Sequence, residues 1–194
     1  FLVKEEKVLL QAQEGGQSEM MDAVGDVVES CTFGAIKVNT LPSFDLEYIF
    51  LNIRSKAVGE KVTLNLPFPG DEDVKVPTKI DLSKVEVHVD EEHTNKIDLT
   101  DQVSVVMRYP TIKTFSGIKV DKLTAEDAVD MTSRCIYQVV NGVETFEAAD
   151  LSKEEKQEFI ENLTQDQFAK IQKFFTTMPK LSHTVTLTHP KTKK

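Results

Sequence analysis

The chain has 194 residues, of which 40% are hydrophobic and 28% charged, the balance of an ordinary globular protein. Its net charge of −9 argues against general nucleic-acid binding, which requires Lys and Arg to neutralise phosphates. No apolar run approaches the roughly eighteen residues of a membrane span, and the first residues do not resemble a signal peptide. Cys31 and Cys135 lie far apart, which favours reduced, buried thiols in a cytosolic protein.

The first sixty residues predict three helices. Apolar residues recur at helical spacing over residues 3–13 and 18–30, and Gly15-Gly16 separates these segments as a turn. Residues 41–60 form the densest apolar helical segment, with Pro42 suited to its first turn and Gly59 to its C-cap. We expect this third helix to be the central core helix of the fold, packed between helices on one side and a sheet on the other.

The period then changes from helical to alternating. Segments 61–66, 74–82, 84–90, 97–99 and 103–109 predict four or five strands joined in one antiparallel sheet. Pro77 predicts an edge position or a bulge within the second strand, because proline cannot donate to the ladder. In the third strand we expect Val85, Val87 and Val89 to point inward.

Helical patterns return after residue 110. Thr124 and Asp127 predict the start of a helix that runs to about residue 140 and stops at Asn141-Gly142, with Cys135 as a packing residue. Two capping boxes predict a helix to residue 163 and another that ends before Pro179; they are Ser152 with Glu155, and Thr164 with Gln167. Residues 185 and 187 alternate in a final strand.

The predicted fold class is therefore α+β, with N-terminal helices and a central helix packed on a small antiparallel sheet, followed by C-terminal helices and a strand. We expect three parts, residues 1–60, 61–110 and 111–194, in one compact unit or two closely packed small domains. The sequence starts on Phe1 and ends on a turn after a predicted strand, so we expect further chain on both sides.

Motifs for catalysis or cofactor binding are not found in the sequence. A Gly-rich phosphate loop, a nucleophile elbow and a Cys-x-x-Cys pair are all absent. His88 and His93 flank an acidic turn that we interpret as solvated rather than metal-binding, and His183 and His189 as surface residues. The turn at residues 71–73 lacks the spacing of an EF-hand. We therefore predict no catalytic residue, no cofactor and no metal.

Charge and aromatic residues leave two questions open. The first thirty residues hold two Lys and seven acids, whereas residues 171–194 hold five Lys and no acid. This basic tail is either solvated or in contact with an acidic partner. The aromatic residues between Phe159 and Phe175 form either a core face or a docking surface, and an unpaired final strand would offer an edge for strand addition.

At residues 41–60, LPSFDLEYIFLNIRSKAVGE, the sequence resembles the baseplate hub proteins of T-even-type contractile-tailed bacteriophages. Further segments agree in order: FLVKEEKVLL, CTFGAIKVNTLP, HTNKIDLT, VVMRYPTI and FIENLTQDQFAKIQKFFTTMPKLSHTV. The resemblance implies a non-enzymatic component or assembly factor of the central baseplate hub. Some relatives carry Cys-x-x-Cys pairs that could hold zinc; the turns PFPGDED and HPKTKK here have no cysteine, so no metal is implied.

Such a role would operate through contacts with other baseplate or hub proteins, without nucleic acid or membrane, and leaves self-association open. It would place the chain in the host cytoplasm during assembly, and retention in the virion tail is left open. The residues we predict to bind partners are Phe44, Tyr48, Arg54, Phe168, Phe174, Phe175 and Met178. The alternatives are a transient assembly chaperone absent from the mature virion and, from another class, a metal-dependent enzyme.

Overall fold

The structure, a computed structural model, describes residues 1–118 and 123–188. Within these residues the chain forms seven α-helices and three small antiparallel sheets, so the predicted α+β class is confirmed. The helices pack in two groups around two separate hydrophobic cores.

The N-terminal part is helical, as predicted. Helices α1 (Val3–Gly15) and α2 (Gln17–Cys31) form a hairpin, and Gly16 between them adopts a φ of 102°, a conformation that glycine tolerates best. After a 3-10 turn at Val38–Thr40, helix α3 spans Ser43–Val58. Pro42 is its N-cap rather than part of the first turn, and Gly59 ends it at a φ of 125°.

Helix α3 packs on α2 in the smaller core. The prediction that it is the central core helix of the whole fold is therefore wrong. Leu46 is fully buried and Phe44 nearly so, but Tyr48 on the same helix is 40% exposed. Its other substantial contacts are with a 3-10 turn at Leu82–Lys84 and with two short strands, not with the largest sheet. The smaller core comprises Val24, Val28, Val38, Leu46 and Ile112.

A two-stranded ribbon follows α3. Strands β1 (Lys61–Phe68) and β2 (Asp71–Asp81) pair with each other, and the other described elements make at most slight contact with them. Pro77 pairs with Asn65 on a strand that has no second neighbour, so the predicted edge position is confirmed. The irregularity in the ladder lies instead at Pro67/Phe68.

The largest sheet has four strands in the order β4 (Lys96–Asp98), β5 (Val103–Met107), β6 (Ile136–Asn141) and β7 (Glu144–Glu147). Ile97, Val105 and Val139 line one face and pack against helices α6 (Lys153–Glu161) and α7 (Gln165–Thr177). Both helices begin at the predicted capping boxes. The larger core contains Ile97, Leu99, Val105, Met107, Cys135, Ile136, Val139, Ala148, Ile160, Ile171 and Phe174.

The predicted strands therefore do not join in one sheet. Strand β3 (Glu86–His88) pairs with β8 (Lys180–Ser182), and Val89 beyond it is 60% exposed rather than inward. The final strand predicted at residues 185 and 187 is wrong, since β8 lies directly after Pro179. The turn predicted at residues 189–194 lies outside the described residues.

The helix predicted over residues 124–140 is also too long. Helix α4 (Ile112–Phe115) and then α5 (Ala125–Cys135) precede β6, which begins at Ile136. Thr124 and Asp127 cap α5 as predicted. The β-branched residues after Cys135 pair with β5. Asn141 ends β6, and Gly142 and Val143 make the tight turn into β7, with Gly142 at a φ of 61°.

Candidate interaction surfaces

His93 joins the turn before β4 to helix α7, so its role is structural. Its Nδ1 lies 2.9 Å from Thr177 Oγ1, and its Nε2 lies 3.0 Å from Tyr109 Oη. The Thr177 hydroxyl donates to the Lys173 carbonyl at 2.8 Å, so its oxygen accepts from His93 Nδ1–H, and His93 Nε2 accepts from Tyr109. Burial lowers the pKa of His93, and the ring is therefore neutral at pH 7.

This histidine is also part of an aromatic stack. The ring of Tyr109 stacks on Phe174 at a centroid distance of 5.5 Å and on His93 at 5.6 Å. Phe44 of α3 meets Tyr109 edge-on at 5.1 Å. The stack connects α3 to residues of the larger core.

These contacts correct two of the predicted partner-binding residues. Phe44 is 8% exposed and Phe174 is 2% exposed, so neither side chain is available on the surface of the folded chain. Tyr48 is exposed, and the remaining four are half-buried; they are Arg54, Phe168, Phe175 and Met178. Phe168 and Phe175 pack against the larger core. Partner binding by the five accessible residues stays a prediction.

The histidines and the cysteine that were weighed as metal ligands or nucleophiles differ in their exposure. His88 and His183 are exposed, while His189 lies outside the described residues. In the described part of the chain, His, Cys, Asp and Glu side chains form no group that could hold a metal ion. Cys135 is fully buried, and desolvation raises the pKa of its thiol to about 12, so it is not a ready nucleophile.

The described structure contains an open cleft of about 740 Å³. It lies between the start of α3 and the segments that end β5 and contain α4. The lining contains three cations and no carboxylate, although the chain as a whole is acidic. The lining residues are Asn39, Thr40, Pro42, Asn95, Val106, Met107, Arg108, Tyr109, Thr111, Lys113, Thr114, Arg134 and Tyr137.

Arg134 lines this cleft, and its guanidinium is held by hydrogen bonds and an ion pair. Its Nη1 donates to the carbonyl oxygens of Thr114 at 3.1 Å and Ser116 at 2.8 Å, which satisfies the end of the short helix α4. Its Nη2 pairs with Asp130 Oδ2 at 2.5 Å. Burial opposes ionisation of Asp130, but hydrogen bonds and charge from Arg134 and Lys153 hold its pKa below the ordinary value.

The other two cations of the cleft, Arg108 and Lys113, make fewer polar contacts within the chain. Arg108 donates through Nε to the Arg134 carbonyl at 3.0 Å, and in the described chain its terminal nitrogens have no hydrogen-bond or carboxylate partner. Lys113 is exposed, and its ammonium has no ion-pair partner among the described residues. The cleft therefore presents positive charge that the described fold does not neutralise.

The β1–β2 ribbon is the second candidate surface. Cross-strand pairs place apolar side chains on one face, with Val62 opposite Ile80 and Leu66 opposite Val76. Leu64, in the middle of this face, is 46% exposed. At its end the ribbon turns at Pro69-Gly70, and the exposed acids Glu72 and Asp73 lie just after this turn, at the start of β2. An apolar face and a charged tip that stand off the fold are features of a docking element.

Sequence reasoning missed both surfaces. The cleft cations stand at positions 108, 113 and 134 and meet only through the tertiary fold, so no local pattern identifies them. The ribbon had a usable signal: two alternating segments joined by PFPGDED, with prolines that discourage further strand pairing.

Comparison with known protein families gives one match. A family described as T4 bacteriophage base plate protein matches residues 1–194. The chain belongs to this family. The resemblance to T4-type baseplate proteins is thus confirmed over the whole sequence. No curated protein and no solved structure matches the chain in these comparisons.

Membership of the T4 baseplate family has two consequences. It indicates a component of the phage tail, and it indicates contacts with other baseplate components. No helix among the described residues is long and apolar enough to cross a membrane.

Proposed function

We propose that this chain is a non-enzymatic component or assembly factor of the central baseplate hub, and that it acts through protein–protein contacts. The family match over all 194 residues carries the proposal, because it ties the entire chain to baseplate structure. Resemblance at residues 41–60 to hub proteins of T-even-type phages supports the hub assignment.

The chemistry of the described side chains favours binding over catalysis. Both ring nitrogens of His93 have hydrogen-bond partners within the fold, and the Cys135 thiol is buried and protonated. The large cleft is lined by cations, amides and hydroxyls, without a carboxylate to act as a general base. These arrangements suit recognition of a partner rather than turnover of a substrate.

The decisive experiment is co-purification with the other tail proteins of the same phage. Tagged wild-type chain should recover hub proteins, whereas Tyr48→Ala with Arg54→Ala should recover less if α3 contributes to the contact. Phe146→Ala is the matched control, because Phe146 is 43% exposed, much like Tyr48, but lies on β7. Recovery of baseplate proteins from outside the hub, or of no tail protein at all, would contradict the hub assignment.

Mass spectrometry of purified virions then separates a component from an assembly factor. A component is present in stoichiometric amount, and a transient chaperone is missing or strongly substoichiometric. Elemental analysis of the purified chain tests the enzymatic alternative, since a stoichiometric bound metal would argue against a purely structural role.

A further inference from the structure

We infer that the basic cleft binds the acidic tip of the β1–β2 ribbon of a second copy of this chain. The inference rests on the proposed function in one respect, namely that the chain acts through protein–protein contacts. The contact inferred here joins the cleft at Arg108 and Lys113 to the tip at Glu72 and Asp73.

Charge complementarity is the first argument. The cleft carries Arg108, Lys113 and Arg134 and has no carboxylate in its lining, in a chain whose net charge is −9. Glu72 and Asp73 are exposed at the far end of the ribbon. Opposite charges placed on two protein surfaces steer their encounter and fix their register.

Shape and composition agree with this pairing. Pro67 and Pro69 flank the tip and are exposed, so the tip is apolar as well as acidic. Tyr137, which is 49% exposed, and Tyr109 line the cleft together with Met107. Aromatic rings bury large apolar area, so the exposed ring of Tyr137 can pack against the prolines of the tip.

The ribbon is suited to bind a partner through its tip and its apolar face rather than by pairing of its strand edges. Pro67 and Pro77 have no N–H to donate to an added strand, and Lys75 and Lys79 flank Pro77 on β2. Prolines and lysines on an exposed strand discourage pairing with another strand. A partner therefore meets the apolar face and the turn.

The tip does not occupy the cleft of its own chain, since none of the residues that line the cleft belongs to the ribbon. Pro42 at the start of α3 lines the cleft, whereas the ribbon begins after Gly59 at the other end of this 16-residue helix. The two ends of such a helix are about 24 Å apart. A ribbon folded back to the cleft would run along α3, but the ribbon makes at most slight contact with that helix. The complement is thus supplied by another copy, in a head-to-tail contact.

The experiment uses sedimentation velocity of the purified full chain across a range of concentration and salt. Wild-type chain should self-associate at low salt and dissociate as salt rises, because exposed charge pairs are screened. Reversing the tip with Glu72→Lys and Asp73→Lys should weaken association more than about tenfold, because like charges then face each other. Reversing the cleft with Arg108→Glu and Lys113→Glu should have the same effect.

Mixing the two reversed proteins provides the sharpest readout. In the mixture the wild-type tip of the cleft variant can meet the wild-type cleft of the tip variant, and the two reversed surfaces complement each other as well. Association should therefore return in the mixture while each protein alone stays monomeric. Glu158→Lys with Glu161→Lys is the matched control, since it changes net charge as the tip variant does at exposed positions of α6. Lys113→Glu alone serves if Arg108→Glu disturbs folding, as judged by circular dichroism.

A labelled peptide of residues 66–75, LPFPGDEDVK, tests the contact without the rest of the ribbon. It should bind wild-type chain and not the cleft variant, and a version with Lys at positions 72 and 73 should not bind. A wild-type chain that stays monomeric and ignores the peptide overturns the inference, as does a mixture that fails to associate. If the cleft variant instead loses tail proteins in co-purification while wild-type chain is monomeric, the occupant is another baseplate protein. The inference then fails and the proposed function stands.

Discussion

Replacement of Phe174 by alanine should destabilise the fold rather than remove a docking residue. Phe174 is 2% exposed and contacts the rings of His93, Tyr109 and Phe175 at centroid distances of 5.2, 5.5 and 5.2 Å. Truncation of a buried phenylalanine costs about 3–5 kcal/mol of unfolding free energy, from lost transfer energy and the cavity left behind. The loss of ring stacking places the expected value toward the upper end.

Urea unfolding followed by circular dichroism measures this change, since the chain contains no tryptophan for fluorescence. With a slope of about 2 kcal/mol per molar urea, the midpoint should fall by about 1.5–2.5 M at an unchanged slope. Phe146→Ala, at a side chain 43% exposed on β7, is the control and should shift the midpoint far less. A Phe174→Ala midpoint within about 0.5 M of wild type would refute the assignment of Phe174 to the core.

Three further predictions test other parts of the fold. Asp130→Asn should lower the unfolding free energy by about 1–3 kcal/mol at pH 7, because the ion pairs to Arg134 and Lys153 are lost. The pKa of Asp130 in the folded chain lies below the unfolded value of about 3.9. The difference in unfolding free energy between wild type and Asp130→Asn should therefore persist above about pH 3.9 and shrink as the pH falls below it. Urea titrations at several pH values measure this dependence. A thiol reagent should label half-buried Cys31 in the native chain and Cys135 only after denaturation; rapid native labelling of both would contradict the burial of Cys135. Ser152→Ala should cost about 1 kcal/mol through loss of the α6 cap, and an unchanged urea midpoint would show that the cap is not stabilising.

The helices were the most predictable part of the fold because their signals are local. The capping boxes at Ser152 and Thr164 place α6 and α7 correctly, since the hydroxyl and the side chain three residues later satisfy backbone N–H groups within one turn. The glycine turn between α1 and α2 is local in the same sense.

Strand pairing was less predictable, because alternation identifies a strand and not its neighbour. Val87 of β3 pairs with Leu181 of β8, but the sequence around either residue does not identify its pairing partner. The segment after Cys135 is ambiguous in another way. Ile136 and Val139 fit helical spacing, and only the Asn141-Gly142 turn favours a hairpin.

The candidate surfaces show the same limit. Helical spacing of aromatic residues on α7 predicts an apolar face, but it does not tell which ring is covered; Phe174 is buried while Phe175 is half-buried. The basic cleft gathers cations from three separate segments, so only the folded chain reveals it.

The pairing of β3 with β8 has a consequence for the order of folding. These strands bring residue 88 beside residue 180, and every residue of the larger core lies in the chain between them. Closing so long a loop for three residue pairs is unfavourable in an unfolded chain, since loop entropy is lost before contacts compensate for it. Once the larger core has formed, its two ends already lie side by side. We therefore expect β3 and β8 to join late, so that weakening their ladder speeds unfolding and leaves the folding rate nearly unchanged.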